Sequence, residues 1–542
     1  MSVKNLKKQR QLRLMVLAFF AMVIALFTFD LDRYGLFDVD EAIFTQATVQ
    51  MLESDDYVTP YYNTEPRYHK PPLIYWLQAA SMHTFEEISP FTARLPSALL
   101  AVMTIFVFFM FIEGMTGSLR YALTASAVLG FSLSYLVIAR AAIADMALNF
   151  FMLTAILFFI SNIYAKQRRL MPQIVGGLMF GLAILTKGPI AIFVVGGVVL
   201  IAMLVRGNFW YNLKCVNPLI VGAMALLVFM PWVVLIIQDK GFDFFKEFLI
   251  VHNWERFANG LGVSHTSSPY YYFIILLIGF SPWVLFVPGS IVWLCRTGWG
   301  KIRSADPMDA LPVIGFLWFL MVFVFFSFSS TKLAHYIVPG LPGLALLVAA
   351  RLDDLPNYPT FKFNLIWMVP AAIVFGLVFW AFKFLPDVLA GKGPMYEAIK
   401  AIPNLSIDLP VDDPQLLALL SLPVEMPQTP IFLGAIVMVG ITLAVVFSAS
   451  GYRHATVVAG ATSWMMLMLI NFGLVPVVYE YQQQPLANIG HKIADTYNSS
   501  TDEVYYFQLH RPSVRFISGV PFTPIDRASQ FLDMPYQPER MM

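Results

Sequence analysis

Apolar runs long enough to cross a bilayer recur along most of this chain, and they exclude a soluble globular core as its main architecture. A helix needs roughly 20 apolar residues to traverse the hydrocarbon, and about thirteen segments approach that measure. Their approximate limits are 14–30, 92–112, 119–138, 146–165, 172–186, 189–205, 218–238, 270–294, 310–328, 333–350, 364–384, 429–448 and 455–477. Charged residues make up only 13% of the chain, against about 25% in an average soluble domain, and they collect in short patches between the runs. The expected class is a polytopic α-helical membrane protein. A formal net charge of +1 creates no global field, so no nucleic-acid partner is expected. Cys215 and Cys295 lie in short basic connections and have neither metal-ligand spacing nor the look of a disulfide framework.

The first run, Leu14 to Phe29, follows Lys4, Lys7, Lys8, Arg10 and Arg13. A cleaved signal peptide would end in small residues, whereas this run ends in the bulky, acidic FDLDRYGLFDVDE. It therefore reads as an uncleaved first transmembrane helix. With the N-terminus in the cytoplasm, the cytoplasmic connections receive Arg120, KQRR at 166–169, Arg206 with Lys214, RTGWGKIR at 296–303, Arg351 and Arg453. That consistent excess of basic residues fixes the orientation. The opposite, periplasmic face receives loops 31–91 and 239–269, the turns near 140–145, 186–188 and 329–332, the acidic segment 385–428 and the C-terminal tail. Beyond a transmembrane domain over 1–477, the polar tail 478–542 carries VYYF at 504–507 and VRFI at 514–517. Both look like short strands separated by a turn containing Pro512, so a small α/β periplasmic C-terminal domain is expected.

The groups able to do chemistry gather on that outer face. Asp38, Asp40 and Glu41 follow the first membrane exit, and neighbouring acids beside an apolar surface suit a general base or a metal site. The bland alternative is a solvated helix start, where acids favour the dipole. The same loop closes with EPRYHKPPLIYW, supplying Arg67, His69 and Lys70. Such cations bind phosphate, or simply mark the membrane interface among aromatic neighbours. Asp145, in RAAIADMALNF, is an acid at a membrane boundary and so a functional candidate, with an ion pair to nearby Arg140 as its structural alternative. Lys187 of TKGP and Lys332, His335 and Tyr336 of SSTKLAHY occupy two further outer turns. A lone lysine there is usually a snorkelling residue, but several cations facing several acids form a pattern. His252, in FLIVHNWERFANG, joined to His69 and an acid, would make a divalent-metal site favouring zinc over magnesium.

Seven segments occur in one order: the DE pair after the first helix, YHKPPLIYW, ARLPSAL, ADMAL, LTKGPIA, VHNWERF and KLAHYIVPGLP. Together, over most of residues 10–350, they resemble the GT-C superfamily of integral-membrane glycosyltransferases. The likeness is to the bacterial aminoarabinose–lipid A transferase group, within a wider protein O-mannosyltransferase-like clan. The resemblance implies transfer of a sugar from a polyprenyl-phosphate donor to an envelope acceptor, lipid A or a related glycan or lipid, with a protein hydroxyl as the alternative acceptor, among the membrane lipids at the outer face of a bacterial inner membrane. It implies that Asp40 and Asp145 are the functional acids, with Glu41 beside them as a third candidate. It implies that Lys70 and Tyr336 lie at the donor phosphate, with Arg67, Lys187 and Lys332 as further phosphate cations, and that His252 ligates a metal. Two positions depart from the group: His69 replaces a glutamate, and Ile43 stands where an arginine is usual. The rival readings are a secondary transporter, which would show internal repeats and helices broken at the midplane, and a non-catalytic accessory protein that has kept the fold.

Overall fold

The computed structural model describes residues 3–63, 65–255, 270–298, 300, 302–354, 455–499, 504–507 and 511–525. Apolar helices dominate. They are α1 (Val3–Thr28), α4 (Pro90–Thr116), α5 (Leu119–Gly130), α6 (Leu133–Ala139), α7 (Ala144–Ile163), α8 (Leu170–Lys187), α9 (Pro189–Arg206), α10 (Phe209–Val216), α11 (Pro218–Lys240), α12 (Tyr271–Gly279), α13 (Val287–Trp293), α14 (Pro307–Ser327), α15 (Leu341–Asp354) and α16 (Ala455–Leu469). Two further helices, α2 (Asp40–Ser54) and α3 (Leu73–Phe85), lie within the first outer loop. Among the described residues, eight helices are long and apolar enough to span a membrane, ten if each of two bent pairs is one span. A shorter apolar stretch, Arg13–Thr28, belongs to α1. The predicted segments 364–384 and 429–448 lie outside the described residues; each of the others falls on one of these spans or on one of the bent pairs, apart from 14–30, which falls on α1.

The bent pairs cross from one face to the other. Leu119–Gly130 and Leu133–Ala139 meet at 69°, and Tyr271–Gly279 and Trp283–Thr297 meet at 108°. Arg120, at the start of the first pair, reaches Asp353 at 3.1 Å, while Arg140, just past its end, sits on the carbonyls that close α1. In the second pair, Tyr272 donates to the Leu333 carbonyl at one face and Trp293 donates to Asp354 at the other. The two breaks also meet each other, since Trp283 donates its indole N–H to the Phe131 carbonyl at 3.0 Å. The Ser463 hydroxyl of α16 donates to the same carbonyl. Backbone groups freed by a break must find partners inside a bilayer, and here neighbouring spans supply them. Where α14 and α15 cross, Gly315 and Gly343 pack backbone to backbone, and a Cβ on either would run into the other's carbonyl. Small residues give membrane helices this close approach, which substitutes for the missing hydrophobic drive.

The first outer loop is held by two buried arginines. Arg94, 1% exposed, lies one turn into α4, whose start is fixed by the Ser89–Thr92 capping box and Pro90. Its guanidinium grips Glu41 with two parallel bonds of 3.0 and 2.8 Å and donates to the carbonyls of Leu31, Tyr34 and Gly35. Glu41 also accepts the backbone N–H groups of Phe37 and Ala142. Arg140 donates to the carbonyls of Leu26, Phe27, Phe29 and Asp30, closing α1. A short ribbon, β1 (Tyr61–Tyr62) against β2 (Glu65–Pro66), turns the loop back towards α3.

The chain then returns to this face through α17 (Val475–Gln482) and α18 (Gln484–Thr496), followed by β3 (Val504–Phe507), α19 (Pro512–Ser518) and β4 (Phe522–Ile525). The strand expected at 514–517 is a helix, and β4 supplies the second strand. Pro512 at its first position and Gly519 at φ +67° past its end delimit the helix. A helical crossover is what the parallel pairing of β3 with β4 requires.

Two predictions follow from this packing. Gly315→Ala or Gly343→Ala should lower the unfolding temperature in detergent, since overpacking costs about 1–3 kcal/mol. Gly460→Ala, where an added Cβ meets nothing within 4 Å, is the control that should not. Burial pushes the Glu41 carboxyl up, but the Arg94 charge and hydrogen bonds and the two backbone N–H groups outweigh it, leaving the pKa below its usual value. The stability this contributes is complete above the ordinary carboxylate range, about pH 4.3, and is lost as pH falls through the depressed folded value. Thermal unfolding of Glu41→Gln across acid pH should therefore show lower stability near neutrality and a flatter acid limb than the parent.

Candidate active site

The site is assembled from helix ends. Asp145 is the second residue of α7, in the first turn, where the dipole favours an acid. Lys187 is the last residue of α8, where the dipole favours a cation. The chain reverses immediately after it, at Gly188 with φ +69°, and restarts as α9 with Pro189 in the first position. Only glycine takes that backbone conformation cheaply, and the Phe248 ring packs where a Cβ would stand. The TKGP motif is therefore a cation, a reversal and a helix start in consecutive residues. The reversal aims Lys187 at Asp145, with Nζ 2.6 Å from Oδ1.

A 3₁₀ helix, Ala334–Gly340, completes the cluster. His335 brings Nε2 to 3.7 Å from the same Asp145 oxygen. The Tyr336 ring lies beneath Lys187 Nζ at 5.4 Å and beside Phe326 at 5.1 Å. The first loop closes over this group: Asp40 and Lys70 both lie within electrostatic reach of His335, and Lys70 within that of Asp145. Asp40 also acts on Tyr75, whose hydroxyl accepts the Arg67 Nε–H at 3.1 Å while the guanidinium lies 5.3 Å from the Phe44 ring. Burial pushes the Tyr75 hydroxyl up, with Arg67 opposing, so Tyr75 stays protonated.

The residues expected to matter have unequal surroundings. Asp40 opens α2, is exposed, and makes no hydrogen bond or ion pair with any described residue. Glu41, next to it, is 6% exposed, and its oxygens are filled by Arg94, Phe37 and Ala142. A carboxylate so saturated has no lone pair to offer a substrate, so Glu41 acts as an anchor for the loop. Asp38 is bound to Ser513. Lys332 donates to the Ser329 carbonyl in its own turn at 2.9 Å. The ion pair considered between Arg140 and Asp145 does not form, because Arg140 is turned onto α1 and Lys187 takes its place. Arg94 is the functional residue that sequence reasoning left without a role, since most of its partners are backbone carbonyls.

His69 and His252 do meet, with ring centroids 3.8 Å apart and planes 29° from parallel. Among the described residues, no group of three or more His, Cys, Asp or Glu side chains is placed to hold a metal ion. No step below passes through a metal.

Residues 13–244 match the family model described as dolichyl-phosphate-mannose-protein mannosyltransferase. An uncharacterized protein of Aquifex aeolicus is 31% identical over 319 residues, which is 59% of this chain and 68% of that one. An undecaprenyl phosphate-alpha-4-amino-4-deoxy-L-arabinose arabinosyl transferase of Edwardsiella ictaluri is 28% identical over 325 residues, 59% of this chain and 56% of the relative. The match therefore spans little more than half the length of that relative. In fold, the crystal structure of ArnT from Cupriavidus metallidurans bound to undecaprenyl phosphate superposes with a TM-score of 0.72 at 22% identity, covering 95% of this chain and 86% of ArnT. Helix ends bearing acids and cations on one face accompany these likenesses: over residues 13–244 the chain is similar to the protein mannosyltransferase family, and its fold is that of ArnT.

Proposed function

We propose that this protein transfers a sugar from a polyprenyl-phosphate carrier to an envelope acceptor, lipid A or a related glycan or lipid. The reaction takes place at the periplasmic face of a bacterial inner membrane, with the N-terminus cytoplasmic and the C-terminal segment periplasmic. The observation that carries this reading is the outer-face cluster: Asp145 paired with Lys187, flanked by His335 and Tyr336, with Asp40 and Lys70 within electrostatic reach. The carrier agrees with the undecaprenyl phosphate in the ArnT structure and with the names of the arabinosyl transferase relatives.

A polyprenyl phosphate is a good leaving group when cations neutralise it as it departs. Lys70 and Lys187 are placed for that work, with Arg67 and Lys332 on neighbouring segments. The Asp145 carboxylate is held tightly by Lys187, so its part is to aim the ammonium group. Asp40 is the acid with free lone pairs, and it orients or deprotonates an acceptor hydroxyl as the hydroxyl attacks the anomeric carbon with inversion. A phosphate acceptor needs no base, and Asp40 then positions it. Ile43 and His69, in place of the arginine and glutamate of the aminoarabinose group, favour a different sugar or acceptor from that group.

A secondary transporter would hold its ions near the midplane, at breaks in its helices. Here the two breaks, GFSLS at 130–134 and GFSPWV at 279–284, contain no charged residue and bond to neighbouring spans. The acids and cations of the cluster stand at helix ends instead.

Purified protein given polyprenyl-phosphate sugars and envelope lipid extract should transfer the sugar. Asp40→Asn should reduce the rate by about a hundredfold or more, the scale of a lost positioned base. Lys187→Met should cut turnover and leave Asp145 without its partner, and Lys187→Arg should recover part of the loss. Use of a nucleotide sugar as direct donor would overturn the reading.

A further inference from the structure

We propose that the C-terminal segment is a working part of this active site: Ser513, acting through Asp38, is a positioning residue that fixes how the first turn of α2 presents Asp40. The inference rests on the role given to Asp40 above.

The contact is built from both sides. Asp38 Oδ1 accepts the Ser513 backbone N–H at 2.8 Å, and Oδ2 accepts the Ser513 hydroxyl at 2.6 Å. Ser513 is 3% exposed, and the residue before it, Pro512, has no N–H to compete. The Asp38 backbone N–H in turn donates to the Gln483 side chain at 3.4 Å. Residue 38 is thus held through its carboxylate and its amide by a part of the chain that enters only after the last described span. Asp40 is two residues on, which is at most about 7 Å of extended backbone.

The opposite side of Asp40 is equally fixed. Glu41 is locked to Arg94 and also accepts the Phe37 N–H, so the segment 37–41 is closed at both ends. Asp40, alone in this segment in having free carboxylate oxygens, lies between the two anchors. The grip of α19 on α2 extends beyond Asp38. The Arg515 guanidinium lies 6.0 Å from the centre of the Tyr62 ring, and the Gln50 amide of α2, once turned so that its nitrogen faces the Tyr61 carbonyl, bridges that carbonyl and Arg515. A reacting carboxylate must be held to within about 0.5 Å of its working position, and groups that lock their neighbours supply that precision.

The test uses full-length protein in the transfer assay, with Ser513→Ala, Asp38→Ala, the double variant and Ser513→Thr. Ser513→Ala and Asp38→Ala should each lower kcat by about tenfold, with KM for the donor within about twofold and the unfolding temperature unchanged. The double variant should be no worse than the poorer single one, and Ser513→Thr should restore kcat. Hydrogen exchange of amides 40–44 should quicken by about tenfold in Ser513→Ala, while the amides around Lys187 stay as they were. Additive losses, wild-type kcat in both single variants, or unchanged exchange at 40–44 would each overturn the proposal. If the wild type transfers nothing, the functional reading fails, and the exchange experiment still decides whether Ser513 holds α2.

Discussion

Two guanidinium groups buried beneath the outer face, Arg94 and Arg140, hold the backbone between Leu26 and Gly35 by its carbonyl oxygens. The last carbonyls of a helix have no partner within it, and leaving them unpaired near hydrocarbon costs several kcal/mol each. Arg140 supplies those partners to α1 and places positive charge at the negative end of its dipole. Arg94 continues the row and ends it on Glu41. A buried ion pair of this kind is weak support for stability in general, because desolvation offsets the attraction. Its value here lies in geometry, since the guanidinium satisfies three carbonyls that the bend of the chain would otherwise strand.

That geometry separates two adjacent acids. Consecutive residues on a helix point about 100° apart, so the turn that sinks Glu41 onto Arg94 leaves Asp40 at the surface. One carboxylate is spent on architecture, and its neighbour keeps its lone pairs for chemistry. A comparable division appears at Asp145, whose partner at 2.6 Å, Lys187, closes the next helix in sequence just before a one-residue reversal. The acids of the site are therefore distinguished by their hydrogen bonds more than by their position on the outer face.

Much of this was legible in the chain itself. Span lengths identified the class, and the clustering of charge at one set of turns pointed to the site, because both depend on residue type alone. Asp40, Asp145, Lys187 and Tyr336 were found through local motifs at helix ends. What remained hidden depends on distant or backbone partners. Nothing in ARLPSAL reveals that Arg94 serves carbonyls some 60 residues earlier. The choice of Lys187 over nearby Arg140 as the partner of Asp145 turns on the capture of Arg140 by the carbonyls that close α1, far away in sequence. VRFI at 514–517 was misread as a strand because a short apolar run suits strand or helix equally, and the flanking Pro512 and Gly519 decided it. The meeting of His69 with His252 was foreseen only as an option, and the stacking of the rings could not be read from spacing.

The bond between Asp38 and Ser513 joins residues 475 positions apart. A ribosome delivers the first of them long before the second. Through that interval the nascent protein already carries its acids and its cations, but the first loop lacks its closing contact. The hold on Asp38 then arrives with α19, after the spans that precede it. An incomplete product, stalled or clipped before α19, would reach the membrane with Asp38 unheld.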